Sequence, residues 1–281
     1  MLNQMLKTTM KNRHPYLFIA PALLILILFS LIPITIAFVI SFTDLNLKGL
    51  ADWSSINFIG LENYTTLLKD TVFHKAVFNT LFYVVIGVPL VIITSLGIAL
   101  LINYGKNLIF TVFRAVYFMP AITNIIAVAV VWGFLYNTEY GLFNYVLSLV
   151  DVDKVPWLEQ PVLAKLSLIV LAVWKGIGIN MIIFLAALQG IPNSYYEAAR
   201  IDGAKRWQVL VYITIPLLRY SIFFVTVTTL IGWLQFFEEP FIMTQGGPLD
   251  GTVSMALFIY QRGFQFSEFG YAAAGSFVLF I

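Results

Sequence analysis

Cysteine is absent from the 281 residues, so neither a disulfide framework nor a thiolate metal site can form. Charge is scarce as well: Asp, Glu, Lys and Arg make up 11% of the chain, less than half of the roughly 25% usual in soluble domains. The two histidines, His14 and His74, have no second ligand at metal spacing and read as ordinary surface residues. No Ser/His/Asp set, carboxylate pair or metal cluster falls within the apolar segments, which argues against an enzyme acting there. No Gly-x-x-x-x-Gly-Lys-Ser/Thr loop occurs anywhere, so the chain has no phosphate cradle of its own. A formal net charge of +2 supplies no field for nucleic acid.

What the chain has in abundance is hydrocarbon. Hydrophobic residues are 60% of the total and the mean hydropathy is +0.90, the signature of a protein whose main solvent is lipid. Apolar windows fall at about 16–42, 77–103, 110–136, 162–189 and 217–237, with a last one from Phe269 to Ile281. Each of the first five is long enough to cross a core of about 30 Å, whereas the sixth is shorter than the roughly 20 residues a spanning helix needs. The expectation is therefore an all-α polytopic membrane protein of six helices, the sixth incomplete in this chain. Lys7, Lys11 and Arg13 precede the first window, but the window is longer than the 7–15 residues of a cleavable signal and reads as a retained helix.

The polar connections alternate in charge. With the N-terminus (1–15) taken as cytoplasmic and 16–281 as the membrane domain, the inner segments hold Lys7, Lys11, Arg13, Lys106, Arg114, Arg200, Lys205, Arg206 and Arg219, with Glu197 and Asp202 as their acids. The outer segments hold Lys48, Lys69, Lys75, Lys154, Lys165 and Arg262 against the rest of the 14 acids. Positive charge collects inside, which places the loop 190–216 in the cytoplasm. The polar stretches 43–76 and 137–161 read as small external caps.

Loop 190–216 has a helix grammar of its own. Ser194 followed by Glu197 fits a capping box, the Ala-rich turn after it favours helix, Gly203 permits a break, and helix resumes from Trp207 toward Pro216. Two short helices meeting at Gly203 make a knuckle. Tyr195 or Tyr196, Ala199 and Ile201 would give it an apolar contact surface, and Glu197, Arg200 and Asp202 would give it charge.

The order Glu197-Ala198-Ala199, Gly203, Ile213, Pro216 resembles the signature of permease subunits of bacterial ATP-binding-cassette importers, with Ile215 where Leu is usual. The resemblance extends to Pro21, to Phe58-Ile59-Gly60-Leu61-Glu62-Asn63-Tyr64, to Ala187 through Pro192, and to Thr244-Gln245-Gly246-Gly247-Pro248, which are similar to carbohydrate permeases of the maltose and glycerol-3-phosphate type. It implies the type I importer fold in the bacterial cytoplasmic membrane and no enzymatic activity in this chain. It further implies that Glu197, Ala198, Ala199, Asp202, Gly203, Ile213 and Pro216 couple to a partner ATPase. The implied partners are a second, dissimilar permease, a dimer of ATPase subunits that would bind the ATP and magnesium, an extracytoplasmic solute-binding protein, and a sugar or oligosaccharide cargo. No cofactor is expected on this chain.

Sugars are held by hydrogen bonds and by stacking on aromatic rings. Trp174, Lys175, Gly176 and Asn180 interrupt the fourth window, Thr229, Trp233 and Phe236 recur at helical spacing in the fifth, and in the third Tyr117 precedes Pro120, whose kink would free backbone carbonyls toward a cavity. By resemblance, Tyr117, Ala121, Gly176, Thr229, Trp233 and Phe236 would stand on the sugar path, with Asn180 as an added polar group. Trp233 and Phe236 equally suit helix packing or lipid contact. Lys175, a cation at mid-span, must face the bundle or a wet cavity, paired either with the second permease or with cargo. Glu238 and Glu239 read as solvated interface residues. Two other functions stay open. A gradient-driven carrier or channel would show discontinuous helices in both halves, and a membrane-embedded assembly or signalling subunit would share the docking loop without a sugar cavity.

Overall fold

The computed structural model describes residues 13–103, 105 and 108–281; Lys7, Lys11 and Lys106 of the inner charge set lie outside the described residues. The principal helices, numbered in chain order, are α1 (Arg13–Leu26), α2 (Ile32–Ile40), α3 (Thr71–Asn103), α4 (Leu108–Ile122), α5 (Ile125–Leu135), α6 (Pro161–Gln189), α7 (Asn193–Ile201), α8 (Arg206–Val209), α9 (Arg219–Leu234) and α10 (Phe269–Phe280). Among the described residues no strand forms, only an isolated antiparallel bridge between Thr43 and Phe58, so the fold is all-α. Tyr16–Ile40, α3 and α6 are each long and apolar enough to cross a bilayer. Two bent pairs, α4 with α5 and Arg206–Leu217 with α9, are apolar enough to bring the number to five if each pair is one broken span, and α10, at 12 residues, is short of a crossing.

Proline sets the local geometry of these spans. Pro33 cannot donate to the helix ladder, and just ahead of it the chain widens into a π-turn, Ile27–Leu31, in which the Ile32 N–H reaches back to Ile27 O. The same device recurs before Pro216, where the Ile215 N–H bonds Leu210 O across the π-turn Leu210–Thr214. Pro120 behaves differently from the kink expected of it: α4 runs through it to Ile122, and the span breaks beyond, by 100°. The break has its own cause. Thr123 turns its N–H and hydroxyl back to Pro120 O, at 3.3 and 2.6 Å, and Asn124 caps a new helix by accepting from the Ile126 N–H at 2.8 Å.

The chain divides into two compact units, one formed by residues up to Lys69 together with Ile259–Ile281, the other by Asp70–Phe258. In the first, α10 lies on α2, with the rings of Phe38 and Phe277 edge-on at 5.1 Å. The Phe58–Tyr64 segment clasps the end of the first span: Gly60 takes the left-handed conformation at φ 60°, buried Asn63 donates to Ser41 O and Thr43 O at 2.9 Å each, and the Tyr64 hydroxyl meets Ser41 Oγ at 2.8 Å. Beyond the span, the side-chain amide and backbone N–H of Asn57 hold the Asp44 carboxyl below the usual carboxylate range. The Gly270 N–H donates to Leu45 O at 3.0 Å.

The second unit is organised by α3 and α6, against which α4 and α9 pack. Lipid gives helices no hydrophobic reason to associate, so close packing of small residues has to hold them. Gly178 admits the α4 backbone, since a Cβ there would stand 2.7 Å from Tyr117 O. Ala99, Met181, Phe184, Leu218 and Val225 fill one buried cluster, and Tyr83, Val91, Leu168, Ile169, Trp233 and Phe236 another. One face of α3 also clamps the loop 249–255. Asn79 gives its amide to Asp250 O and Val253 O, at 3.0 and 2.9 Å, Tyr83 donates to Thr252 O at 3.1 Å, and Lys75 pairs with Asp250 at 3.0 Å. Lys165, buried at 7% exposure, donates to Asn79 Oδ1 at 3.1 Å and lies over the Phe82 ring at 4.9 Å.

Gly270 has no room for a side chain: a Cβ would fall 2.1 Å from Thr43 O and 3.1 Å from its carbonyl carbon. Gly270→Ala is expected to cost about 1–3 kcal/mol through forced backbone movement, read as a drop of several degrees in the thermal midpoint of the detergent-solubilised protein. An unchanged midpoint would show that the close approach carries no stability.

Candidate coupling surface and membrane cavity

The first candidate site is the loop after α6. Helix α7 starts at Asn193, with Pro192 at the cap position and no side-chain cap. The Ser194–Glu197 capping box therefore does not form, because the helix begins one residue before Ser194 and puts its hydroxyl inside the first turn. The reciprocal bond sits one helix later, where the Gln208 side-chain oxygen accepts from the Lys205 N–H at 2.7 Å and opens α8.

The end of α7 explains the Glu-Ala-Ala-to-Gly spacing in physical terms. Gly203 lies at φ 71°, the Ala204 N–H reaches Ala199 O at 2.9 Å, and the Gly203 N–H reaches Arg200 O at 3.2 Å. These two bonds are a Schellman cap, which needs a left-handed residue at the position Gly203 holds, four after Ala199. Ala199 is 5% exposed, so it belongs to the interior of the loop and not to the contact surface expected of it. Ala198, Ala199, Asp202 and Ile213 line one hollow of about 480 Å³ together with Tyr195. Glu197 points into solvent, and so do Tyr195 and, at 87% exposure, Ile201. Pro216 follows the π-turn, after which the chain bends by 66° into α9. The motif is thus brought together as a unit: Ala199 and Gly203 shape the turn, Ala198, Asp202 and Ile213 line its hollow, Pro216 redirects the chain, and Glu197 faces outward.

The second candidate is a cavity of about 710 Å³ between α6, α9 and the segment after α9, within the range of ligand sites. Gly176 and Asn180 line it from α6, and Thr229, Trp233 and Phe236 from α9 and its end. The rings of Trp233 and Phe236 stack at 5.1 Å, 13° from parallel, and both residues are buried, which excludes the lipid-facing reading of them. Tyr117 does not line the cavity; it is 37% exposed, and its carbonyl serves the contact with Gly178. Ala121 meets Gly178 too, its Cβ 3.2 Å from where a side chain would begin.

Two charges lie differently from the sequence reading. Lys175 has its counter-ion within this chain, Glu238 Oε2 at 3.5 Å. Glu239 is 7% exposed and lines the cavity, so it is no solvated interface residue: α9 ends at Leu234, and the chain beyond packs back, with Phe236 against Tyr83 of α3 at 4.8 Å. Sequence reasoning missed Gln235, Glu238 and Glu239 as cavity residues. The one signal for them was a mid-span lysine in need of an anion.

Comparison with known proteins identifies the family and the fold. Residues 71–281 match the family described as binding-protein-dependent transport system inner membrane component. The lactose transport system permease protein LacF of Rhizobium radiobacter is 35% identical over 94% of this chain and 88% of its own length. The arabinooligosaccharides transport system permease protein AraP of Bacillus subtilis (strain 168) is 33% identical over 96% of this chain and 85% of its own. Among solved structures, a chain of a bacterial ABC transporter involved in the import of the acidic polysaccharide alginate superposes with a TM-score of 0.80 at 24% identity, covering 98% of this chain and 92% of that one; at that identity the likeness is one of fold.

The wall formed by Trp233 depends on Gly87, where a Cβ would stand 2.1 Å from the indole ring. Gly87→Ala is expected to push Trp233 out of the wall, shifting its fluorescence relative to a Trp233→Phe control and lowering the thermal midpoint, at a cost of about 1–3 kcal/mol. If neither spectrum nor midpoint moves, the tight α3–α9 contact does not position the ring.

Proposed function

This chain belongs to the family of binding-protein-dependent transport system inner membrane components, and on that premise we propose that it is the permease of an ATP-driven importer of sugars or oligosaccharides. The lactose and arabinooligosaccharide permeases among its relatives support the cargo class. Family membership also sets aside the gradient-driven carrier or channel. The permease works in the cytoplasmic membrane with its N-terminus inside, the orientation that the inner cluster of Lys and Arg supports. An extracytoplasmic binding protein delivers the sugar, a second permease completes the path, and a pair of ATPase subunits binds ATP and magnesium.

The observation that carries the coupling role is the Schellman-capped α7, held as a fixed hook by Gly203. A docking element has to transmit force without melting, and a helix of 9 residues is too short to be stable by itself. Its ends are therefore tied. The cap closes one end, and Tyr196, with its hydroxyl 3.5 Å from Thr214 Oγ1, sets α7 against the π-turn ahead of Pro216. What faces outward is a mixed surface of Tyr195, Glu197, Arg200 and Ile201, suited to a groove in a soluble ATPase.

At the other site, the stacked rings of Trp233 and Phe236 offer an apolar face to a pyranose, and Asn180 and Thr229 offer hydrogen bonds to its hydroxyls. Lys175, half-buried and paired with Glu238, is the kind of mid-span cation a membrane protein tolerates when it has a partner. The chain itself catalyses nothing in this scheme. Its part is to expose the cavity alternately to the two sides as the ATPases open and close.

Gly203 separates backbone from contact. Nothing lies within 4 Å of a Cβ built there, so Gly203→Ala meets no clash and pays only the left-handed strain, about 1–2 kcal/mol, which corresponds to roughly tenfold in an equilibrium. ATP-driven uptake by the assembled transporter should fall about that much in Gly203→Ala and recover in Gly203→Asn, since Asn visits this conformation more readily. Glu197→Ala, which leaves the fold intact, should weaken retention of the ATPase on the purified permease. Wild-type uptake and assembly in all three variants would sink the coupling role.

A further inference from the structure

The family relation leaves the charge of the cargo open, since the chain superposes on an importer of an acidic polysaccharide and is similar in sequence to permeases named for lactose and arabinooligosaccharides. The cavity carries information on this point. Among the described residues no lysine or arginine lines it, whereas two carboxyl groups do, Glu238 and Glu239. The nearest cation, Lys175, is taken: its ammonium lies 3.5 Å from Glu238 Oε2, and its side chain is 21% exposed.

The remaining polar groups are built for hydroxyls. Thr229 is nine-tenths buried, lines the cavity, and its hydroxyl has no hydrogen-bond partner among the described residues. Asn180 gives one amide N–H to Gly176 O at 3.0 Å, which leaves its second N–H to donate and its oxygen to accept. Glu239 accepts from a hydroxyl when ionised and donates to one when protonated, and in neither state does it bring positive charge. A sugar carboxylate or sulfonate entering here would lose its water and find no cation in return, a cost that grows with the low polarity of the aromatic wall. A neutral sugar meets a ring stack, the Thr229 hydroxyl, the amides of Asn180 and Gln235, and the two carboxyl groups.

We propose that the cavity admits sugars without acidic groups and excludes anionic ones, and that the Lys175–Glu238 pair is what enforces the exclusion by withholding the ammonium. The proposal rests on reading the cavity as the sugar path. Its distinctive consequence is a gain of function: Glu238→Gln keeps the shape of the wall, removes the carboxylate paired with Lys175, and makes the cavity more open to anions.

The test uses the whole transporter, purified from native membranes through a tag on this chain and placed in nanodiscs without binding protein. Lactose, maltose and cellobiose are each compared with their aldobionic acids, and binding is followed by the part of the fluorescence that Trp233→Phe removes. At least one neutral disaccharide should bind at a concentration ten or more times lower than its acid in the wild type. In Glu238→Gln that gap should narrow to about threefold through tighter binding of the acid, and an unchanged thermal midpoint shows that the variant is folded. Lys175→Gln should leave the wild-type exclusion in place. Equal or tighter binding of an aldobionic acid to the wild type, or an unchanged gap in Glu238→Gln, would overturn the proposal while leaving the cavity a sugar site. Silence toward every sugar of both classes would overturn it together with the sugar-path reading, and the uptake measurements on Gly203 would still stand on their own.

Discussion

Every backbone donor and acceptor that enters lipid has to be satisfied within its own chain, and this structure is shaped by the places where proline makes that impossible. A proline in a spanning helix removes one donor and crowds the carbonyl four residues back. At Pro33 and Pro216 the chain responds alike: the preceding turn widens to an i→i+5 bond, Ile32 to Ile27 and Ile215 to Leu210, so the ladder stays closed. Beyond Pro33 the rod runs straight on to Ile40, whereas beyond Pro216 it ends at Leu217 and turns by 66°. One physical rule thus yields both a continuous span and the corner at which the loop after α6 joins α9.

Polar groups inside the spans obey the same accounting. Lys165 gives its ammonium to Asn79 and to aromatic faces, Asn79 gives its amide to two loop carbonyls, and Lys175 meets Glu238. Each makes a tertiary contact that a hydrocarbon side chain would not make: Lys165 ties α6 to α3, and Asn79 and Lys175 tie α3 and α6 to the chain that follows α9. In a medium where apolar contact does little to choose between arrangements, such bonds and the glycine contacts at Gly87 and Gly178 decide which helices touch and in what register.

The hydropathy of the chain made the spans and the fold class legible, and the motif made the loop legible, because both depend on residue type at fixed spacing. The failures have a common origin. The Ser194–Glu197 box was a local pattern overruled by where Pro192 starts the helix, and Gln208 took the reciprocal role instead. Pro120 was expected to bend its span, but the stronger cue was the Asn124 cap that starts a new helix. Burial of Glu239 and the distance of Tyr117 from the cavity depend on how the chain returns after Leu234 and on which face of α4 meets Gly178. These are tertiary choices that no periodicity encodes. Lys175 lies between the two cases: its need for an anion was evident, and the identity of that anion was not.

The two candidate sites share one element. Helix α9 has 16 residues, about 24 Å at 1.5 Å per residue, with the Pro216 corner at its start and Thr229 and Trp233 near its end. Its middle is fixed by Val225 in the cluster with Met181 and Phe184 of α6, and its far end is fixed by Trp233 over Gly87 of α3. A helix is stiff along its axis, and packed interiors shift between arrangements more readily than they deform. The corner at Pro216 and the aromatic wall therefore belong to one rigid body, and neither can be repositioned without moving the other. The placement of proline at one end and a glycine-seated indole at the other is what ties the loop after α6 and the cavity to a single helix.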